Sequence, residues 1–153
     1  MSAQAAELRR SRHNPQHARE ALEASLPRHG LSYDASLHKR LGGLRKPTGG
    51  DANAAWRLPS FRGYADYMQT PEFQAALDEL LEQASQQPTA VLCAEALPWR
   101  CHRGLIADAA MARGVAVHDI FIAANGTPSI REHKSACLSL FFVCWQSLAP
   151  RVC

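Results

Sequence analysis

The densest group of reactive side chains lies at residues 93–103, whose letters are CAEALPWRCHR. A thiolate at Cys93 or Cys101 is a strong nucleophile. Glu95 or His102 can then move the proton that the reaction requires. Arginine side chains would hold an anionic substrate beside these groups. The candidates are Arg100 and Arg103 within the segment and Arg62 earlier in the chain. The segment therefore predicts a catalytic site with cysteine, glutamate and histidine as its reacting groups.

Two other interpretations of the same residues stay open. In the first, Cys93, Cys101 and His102 bind zinc, and His118 or His133 completes the ligand set. The eight-residue step between the cysteines is wider than that of a zinc knuckle, so the sequence assigns no metal. In the second, the cysteines are buried packing residues, the glutamate pairs with an arginine, and the segment only orders a loop.

The elements that must position this group are predicted by capping residues and apolar spacing. Residues 71–86 form a helix, with Thr70 as its cap, Pro71 in its first turn and an apolar stripe at helical spacing. A buried strand at 89–93 follows. A second helix at 101–113 ends before Gly114, and a strand at 115–120 comes next. Strand, crossover helix and strand predict a right-handed parallel unit, with the reactive residues at the carboxyl edge of the sheet.

The first half of the chain is less regular. Residues 15–26 predict a short helix, and residues 31–61 predict a long basic loop rich in glycine and proline. Phe61, Tyr64 and Tyr67 have the aromatic character that stacks on a base, but we expect them to pack instead. The apolar segment 136–149 fits a buried helix or a pair of strands equally well.

Length and composition bound the class of protein. The chain has 153 residues, 46% hydrophobic and 20% charged, which suits one globular domain and excludes a disordered chain. The sequence lacks an apolar run of membrane-spanning length and a signal-type N-terminus, so we expect a cytoplasmic protein with no membrane partner. Residues 1–62 carry a net charge of +6 and residues 63–153 one of −3, which allows the basic half to face an anion. Five cysteines, an odd number, argue against a disulfide framework.

Five motifs in order resemble the prokaryotic "domain of unknown function 488" family. They are SRHNP at 11–15, LGGLRKP at 41–47, FRGYADYM at 61–68, TPEF at 70–73 and CAEALPWRCHRGLIAD at 93–108, and His118 matches the family's histidine in the final strand. The resemblance implies one α/β domain over residues 10–133, a three-layer sandwich with a mainly parallel sheet. It also implies that the chain is N-terminally truncated, without the family's first β-α-β segment, and that 134–153 is an atypical tail.

Carried over position by position, the resemblance implies a single pocket for an anionic substrate. The substrate-binding candidates that it implies are Ser11, Arg12, Asn14, Gly42, Gly43, Arg45, Arg62, Tyr64 and Arg103. As the family's name states, no activity is established for its members. Neither the residues nor the resemblance assigns a cofactor or an oligomeric state.

The leading hypothesis is an enzyme whose pocket binds a phosphate-bearing or nucleotide-like anion. One alternative is a non-catalytic nucleic-acid or nucleotide-binding module that uses the basic segment 39–62. The other alternative is an inactive, truncated family member.

Overall fold

The computed structural model describes residues 2–7 (backbone only), 15–93, 95, 97 and 100–135. The described residues form a mixed α/β structure whose strands are β1 (Ser2–Glu7), β2 (Ser32–Asp34), β3 (Thr89–Cys93), β4 (His118–Ile122) and β5 (Pro128–Glu132). The helices are α1 (Arg19–Ser25), α2 (His38–Leu41), α3 (Pro59–Met68), α4 (Pro71–Gln86) and α5 (His102–Ala112), and short 3₁₀ helices span Pro15–His17 and Leu26–His29. The predicted apolar segment 136–149 lies outside the described residues.

Helix α4 has the bounds that its sequence predicts. The hydroxyl of Thr70 accepts a hydrogen bond from the backbone N–H of Phe73, and Pro71 occupies the first turn. Phe73 and Leu77 are fully buried, and Leu80 is nearly so. Because capping, proline position and apolar spacing all favour the same boundaries, local sequence fixes this helix.

The hydrophobic core lies between α3, α4 and α5. Tyr64 and Phe73 are fully buried, with ring centroids 5.9 Å apart in an edge-to-face arrangement. Leu105 and Ile106 of α5 complete this cluster, as the prediction of an inward face for that helix requires. The core therefore supports the first turn of α5, where the reactive residues lie.

The main sheet has three parallel strands in the order β2, β1, β3. Strand β3 has the predicted bounds, whereas no sequence signal marks β1. The reason is that SAQAAE contains no β-branched or aromatic residue, so intrinsic propensity does not favour a strand there. Glu7 lies beside Cys93 in register, which places the ends of β1 and β3 at one edge of the sheet.

The predicted parallel pairing of 89–93 with 115–120 is wrong. The later strand, β4, spans His118–Ile122 and pairs with β5 in a separate antiparallel hairpin. The turn between them contains Asn125 and Gly126, whose φ of 82° favours glycine. Because β4 alternates between exposed and half-buried residues, it suits a hairpin better than a central buried strand.

The N-terminal predictions also need correction. The helix predicted at 15–26 is shorter, because α1 covers only Arg19–Ser25 between two 3₁₀ turns. The segment predicted as one loop, 31–61, contains β2, α2 and the first residues of α3. Pro59 begins α3 because a proline fits the first turn of a helix, where its missing N–H costs no hydrogen bond. Tyr64 and Tyr67 on this helix are buried, as expected for packing aromatics.

Within the described part of the chain, no helix has the length and apolar character needed to cross a membrane.

Candidate functional site

The two cysteines singled out from the sequence meet where β3 ends and α5 begins. Cys93 is the last residue of β3, and Cys101 is the residue that caps the N-terminus of α5. Neither forms a disulfide. One ligand atom from each of Cys93, Cys101 and His102 lies within 4.8 Å of the others. The predicted catalytic cysteines and histidine therefore form one cluster.

The sulfur of Cys101 is surrounded by N–H groups. The backbone N–H of Arg103 donates to it at 3.5 Å, and the Nε–H of the same arginine donates at 3.4 Å. Nδ1 of His102 lies 3.6 Å from the sulfur. Arg103 is itself held in place, because its guanidinium also donates to the carbonyl oxygen of Glu95. These donors favour the thiolate form of Cys101 over the thiol.

The two sulfurs have different acidities. The hydrogen bond from the Cys93 thiol lowers the pKa of Cys101, burial opposes that change, and the contacts with His102 and with the backbone N–H of Arg103 lower the pKa further. The net result is a pKa for Cys101 far below that of an ordinary thiol. The same sulfur–sulfur hydrogen bond, together with burial, raises the pKa of Cys93. These opposite shifts favour the thiolate at Cys101 and the neutral thiol at Cys93.

The imidazole of His102 is held between two other motifs. Its ring centroid lies 5.1 Å from that of Tyr64, whose hydroxyl donates to the carbonyl oxygen of Leu41. On another side it faces Gly43, where a Cβ would lie 2.7 Å from Cγ and 2.8 Å from Cε1 of the ring. The glycine at position 43 thus leaves the space that the imidazole occupies.

A cavity of about 330 Å³ opens beside the cluster. Its described lining brings together the glycine-rich segment after α2, helix α3, the end of β3 and the start of α5. The lining residues are Gly43, Leu44, Ser60, Phe61, Tyr64, Cys93, Glu95, Arg100, Cys101, His102 and Leu105. All four predicted catalytic residues are among them.

We expect Gly43→Ala to slow alkylation of Cys101 by about tenfold, because the new methyl group displaces the His102 ring from the sulfur. Overpacking of this kind also costs about 1–3 kcal/mol of folding free energy. Iodoacetamide alkylation followed by peptide mass spectrometry measures the first effect, and urea unfolding measures the second.

Gly50→Ala is the matched control, because nothing lies within 4 Å of a Cβ at that position. If Gly43→Ala reacts and unfolds like the Gly50 variant, Gly43 does not hold His102 in place.

The predicted arginines of the basic segment serve the fold rather than the cavity. The guanidinium of Arg45 lies 3.7 Å from the centroid of the Tyr67 ring and donates to the carbonyl oxygen of Lys39. Arg62 donates to the carbonyl oxygen of Gly50 at 2.6 Å. Gly42 is buried at the end of α2. The described lining of the cavity includes none of these three predicted residues, nor Arg103, which reaches the site through the Cys101 sulfur.

Several other predicted residues lie elsewhere. Ser11, Arg12 and Asn14 fall outside the described residues. His118, a candidate zinc ligand, is exposed. His133, the other candidate, is buried between Asp119, 2.8 Å from its Nδ1, and Asp108, 3.3 Å from its Nε2. The three-residue cluster therefore gains neither histidine as a fourth ligand.

The sequence analysis missed residues that shape the cavity from α3. Ser60 and Phe61 line the cavity one helical turn before Tyr64. Pro59 is the sequence signal that could have marked the start of this helix. Leu44 and Leu105 also line the cavity without having been proposed.

Two further residues of α3 were missed because they act across long separations in the chain. A Cβ at Gly63 would lie 2.5 Å from the carbonyl oxygen of Arg45, so this glycine lets α3 approach the glycine-rich segment. Asp66 accepts hydrogen bonds from the backbone and hydroxyl of Thr48 and from the Asn53 amide. Burial raises the pKa of Asp66, but these hydrogen bonds outweigh burial and lower it.

The segments that meet at the cavity are those whose motifs the sequence analysis picked out. No curated protein and no solved structure matches the chain. A family model does match, over residues 7–110, and these residues include both cysteines, the glycine-rich segment and helix α3. The chain belongs to the family described as domain of unknown function DUF488.

Proposed function

We propose that this protein is an enzyme that uses the Cys101 thiolate to attack an anionic, phosphate-bearing or nucleotide-like substrate bound in the cavity. The observation that carries the proposal is the position of the Cys101 sulfur. Cys101 is one of the residues that line the cavity, and its sulfur accepts two hydrogen bonds from Arg103 and contacts His102. Donors around a sulfur beside a cavity favour a nucleophile over a packing residue.

The remaining residues of the cluster have roles that follow from their positions. The thiolate donates an electron pair to an electrophilic centre of the substrate, and the leaving group departs with the electrons of the broken bond. His102 or Glu95, both on the cavity wall, transfers a proton to that leaving group. The Cys93 thiol donates a hydrogen bond to the Cys101 thiolate and holds it in place.

An anionic substrate suits the charges at the cavity. Cys101 caps the N-terminus of α5, where the unpaired N–H groups and the helix dipole favour negative charge. Arg100 precedes the cap, is exposed and lines the cavity. Of the predicted anion-holding arginines, Arg100 is therefore the one that we assign to contact the substrate directly.

Two alkylating reagents that differ in charge, one anionic and one neutral, test this proposal. Iodoacetate and iodoacetamide transfer similar groups, but only iodoacetate carries a negative charge. We expect Arg100→Ala to lower the iodoacetate-to-iodoacetamide rate ratio at Cys101 by about fivefold, as expected for loss of about 1 kcal/mol of attraction at an exposed charge. Inorganic phosphate or a mononucleotide should slow both reactions of the unmodified protein.

Arg57→Ala is the matched control, since Arg57 is equally an exposed cation but does not line the cavity. An unchanged ratio in Arg100→Ala, or equal losses in both variants, would exclude Arg100 as the anion-binding group. Slow alkylation of Cys101 in the unmodified protein would remove the nucleophile from the proposal.

The nucleic-acid alternative has less support from the basic segment. Arg40 pairs with Glu79 at 2.6 Å, Arg45 stacks on Tyr67, and Arg62 binds a backbone carbonyl. Because these guanidinium groups are engaged within the fold, they are less available to phosphates. The binding module predicted for 39–62 therefore rests chiefly on Lys39, Lys46 and Arg57, which are exposed.

We also propose an architecture for the whole domain and a cellular location for the protein. The parallel order of β2, β1 and β3 supports a mainly parallel sheet, and we propose the three-layer sandwich over residues 10–133 as the arrangement of the whole domain. Cytoplasmic localisation is part of the same proposal. Its support is the ordinary globular composition and the pair of free cysteines among the described residues.

A further inference from the structure

The cluster at the end of β3 has a second chemical capacity besides nucleophilic attack. We infer that Cys93, Cys101 and His102 bind a soft divalent cation of the zinc class, and that the bound ion and the reaction of Cys101 with electrophiles exclude one another. The ion binding depends only on the three side chains. The competition also rests on the proposed function, because it assumes that Cys101 is the reacting thiolate.

The donor set is the first support. Two thiolates and an imidazole are ligands that zinc prefers, and sites of three protein ligands leave a fourth position open. The three ligand atoms lie within 4.8 Å of one another. His118 and His133 lie elsewhere, so the cluster is a three-ligand site that faces the cavity rather than a closed four-ligand site.

The spacing of the ligand atoms is the second support. At zinc distances of about 2.3 Å to sulfur and about 2.0–2.1 Å to nitrogen, tetrahedral geometry places a sulfur and a nitrogen ligand about 3.6 Å apart. The Cys101 sulfur and Nδ1 of His102 are 3.6 Å apart. This edge of the coordination tetrahedron is thus already formed, and the Cys93 sulfur needs only to close onto it.

The surroundings of the ligands are the third support. Gly43 and Tyr64 confine the imidazole, so that little conformational freedom is lost when the ring binds an ion. Arg103 donates from its backbone and side chain to the Cys101 sulfur, as groups around metal-bound ligands do. When the ion binds, the Cys93 thiol releases its proton to solvent, as metal-binding thiols do. The two thiolates then balance the double charge of the ion, and the arginine next to them meets no net positive charge.

Competition follows from the electrons that both reactions need. Attack on an electrophile uses a lone pair of the Cys101 sulfur, and coordination engages the same thiolate. Zinc therefore protects Cys101 from alkylation, and alkylated Cys101 no longer binds the ion.

Cobalt and zinc titrations test the inference in the 153-residue chain with its other cysteines changed to serine, namely Cys137, Cys144 and Cys153. Cobalt should produce a thiolate-to-metal charge-transfer band that saturates at one ion per chain. Zinc should displace the cobalt and slow iodoacetamide alkylation of Cys101 by at least tenfold, because an ion at about ten or more times its dissociation constant leaves about a tenth or less of the sites free.

His102→Gln is the variant that assigns the site, since loss of a direct ligand should weaken cobalt binding by more than about 100-fold, the upper range for loss of an outer-shell partner. His133→Gln is its matched control, because His133 is bound by Asp108 and Asp119 instead. Circular dichroism melting shows whether each variant is folded. If a variant is unfolded, zinc protection of Cys101 in the parent chain decides the question.

The outcomes separate this inference from the proposed function. No charge-transfer band, or a band that survives His102→Gln, overturns the ion site, and fast alkylation of Cys101 would still support the nucleophile. A band together with slow alkylation in metal-free protein overturns the nucleophile and the competition but supports the ion site. A band with fast alkylation that zinc does not slow overturns the competition.

Discussion

Cys101→Ser is expected to remove the fast-alkylating group while leaving helix α5 in place. Serine is among the preferred residues at a helix N-terminus, so its hydroxyl can accept the Arg103 N–H that the sulfur accepts now. We therefore expect the free energy of unfolding to change by less than about 1 kcal/mol. The loss of reactivity then reports the sulfur itself rather than damage to the fold.

The reaction should be measured in mildly acidic solution, where ordinary and perturbed thiols differ most. At about pH 5 a thiol of ordinary pKa is ionised to only about one part in 3000. A thiolate of lowered pKa is intrinsically less nucleophilic, which offsets part of this advantage. The net expectation is a rate of iodoacetamide alkylation at least about tenfold lower in Cys101→Ser than in the unmodified chain.

Cys93→Ser is the matched comparison for this experiment. Its hydroxyl can still donate to the Cys101 sulfur, so fast alkylation at Cys101 should persist. Peptide mass spectrometry identifies which sulfur carries the label. Fast alkylation that survives in Cys101→Ser and disappears in Cys93→Ser would reverse the assignment of thiolate and thiol within the pair.

The reactive cluster was predictable because its members lie close together in the chain. Cys93 closes a strand that apolar, β-branched residues predict, and Cys101 and His102 begin helix α5, which ends at Ala112 shortly before Gly114. Few residues of the chain separate these two elements. Adjacent elements with clear boundaries therefore brought both sulfurs and the imidazole to one edge of the sheet, as the sequence analysis expected.

The partners of that cluster could not be predicted from local pattern. Gly43 confines His102 from a distance of 59 residues along the chain, and Gly63 accommodates the backbone of Arg45. A glycine in a sequence shows that space is available but not which group fills it. The resemblance to the family supplied Gly43 as a site residue, whereas the contact that explains it required the structure.

Strand pairing was the other feature beyond local reasoning. Nothing in residues 2–7 distinguishes a central strand, since backbone hydrogen bonds to β2 and β3 define β1. The pairing of β4 with β5 instead had a signal in Asn125-Gly126, which marks a turn between two strands. The order strand, helix, strand favours a parallel unit, but this turn favours the antiparallel hairpin that forms.

Phe73→Ala is expected to produce the largest loss of stability in the described core. The ring is fully buried and makes edge-to-face contacts with Tyr64 and Tyr67, at centroid distances of 5.9 and 5.8 Å. Truncation of a buried phenylalanine costs about 3–5 kcal/mol, because transfer free energy is lost and a cavity remains. The free energy of unfolding of a domain is about 5–15 kcal/mol, so this loss is a large part of it. Urea unfolding followed by circular dichroism measures the change.

Phe73→Leu and Glu82→Ala make this prediction testable even if the alanine variant is unfolded. Leucine keeps most of the buried volume and should cost about 1–2 kcal/mol, and alanine at exposed Glu82 on the same helix should change stability by less than about 0.5 kcal/mol. Because Phe73 packs on Tyr64, and Tyr64 in turn packs on His102, we also expect Phe73→Leu to slow alkylation of Cys101. Equal stability of the leucine and unmodified chains, with equal alkylation rates, would show that the core beneath α3 does not position the site.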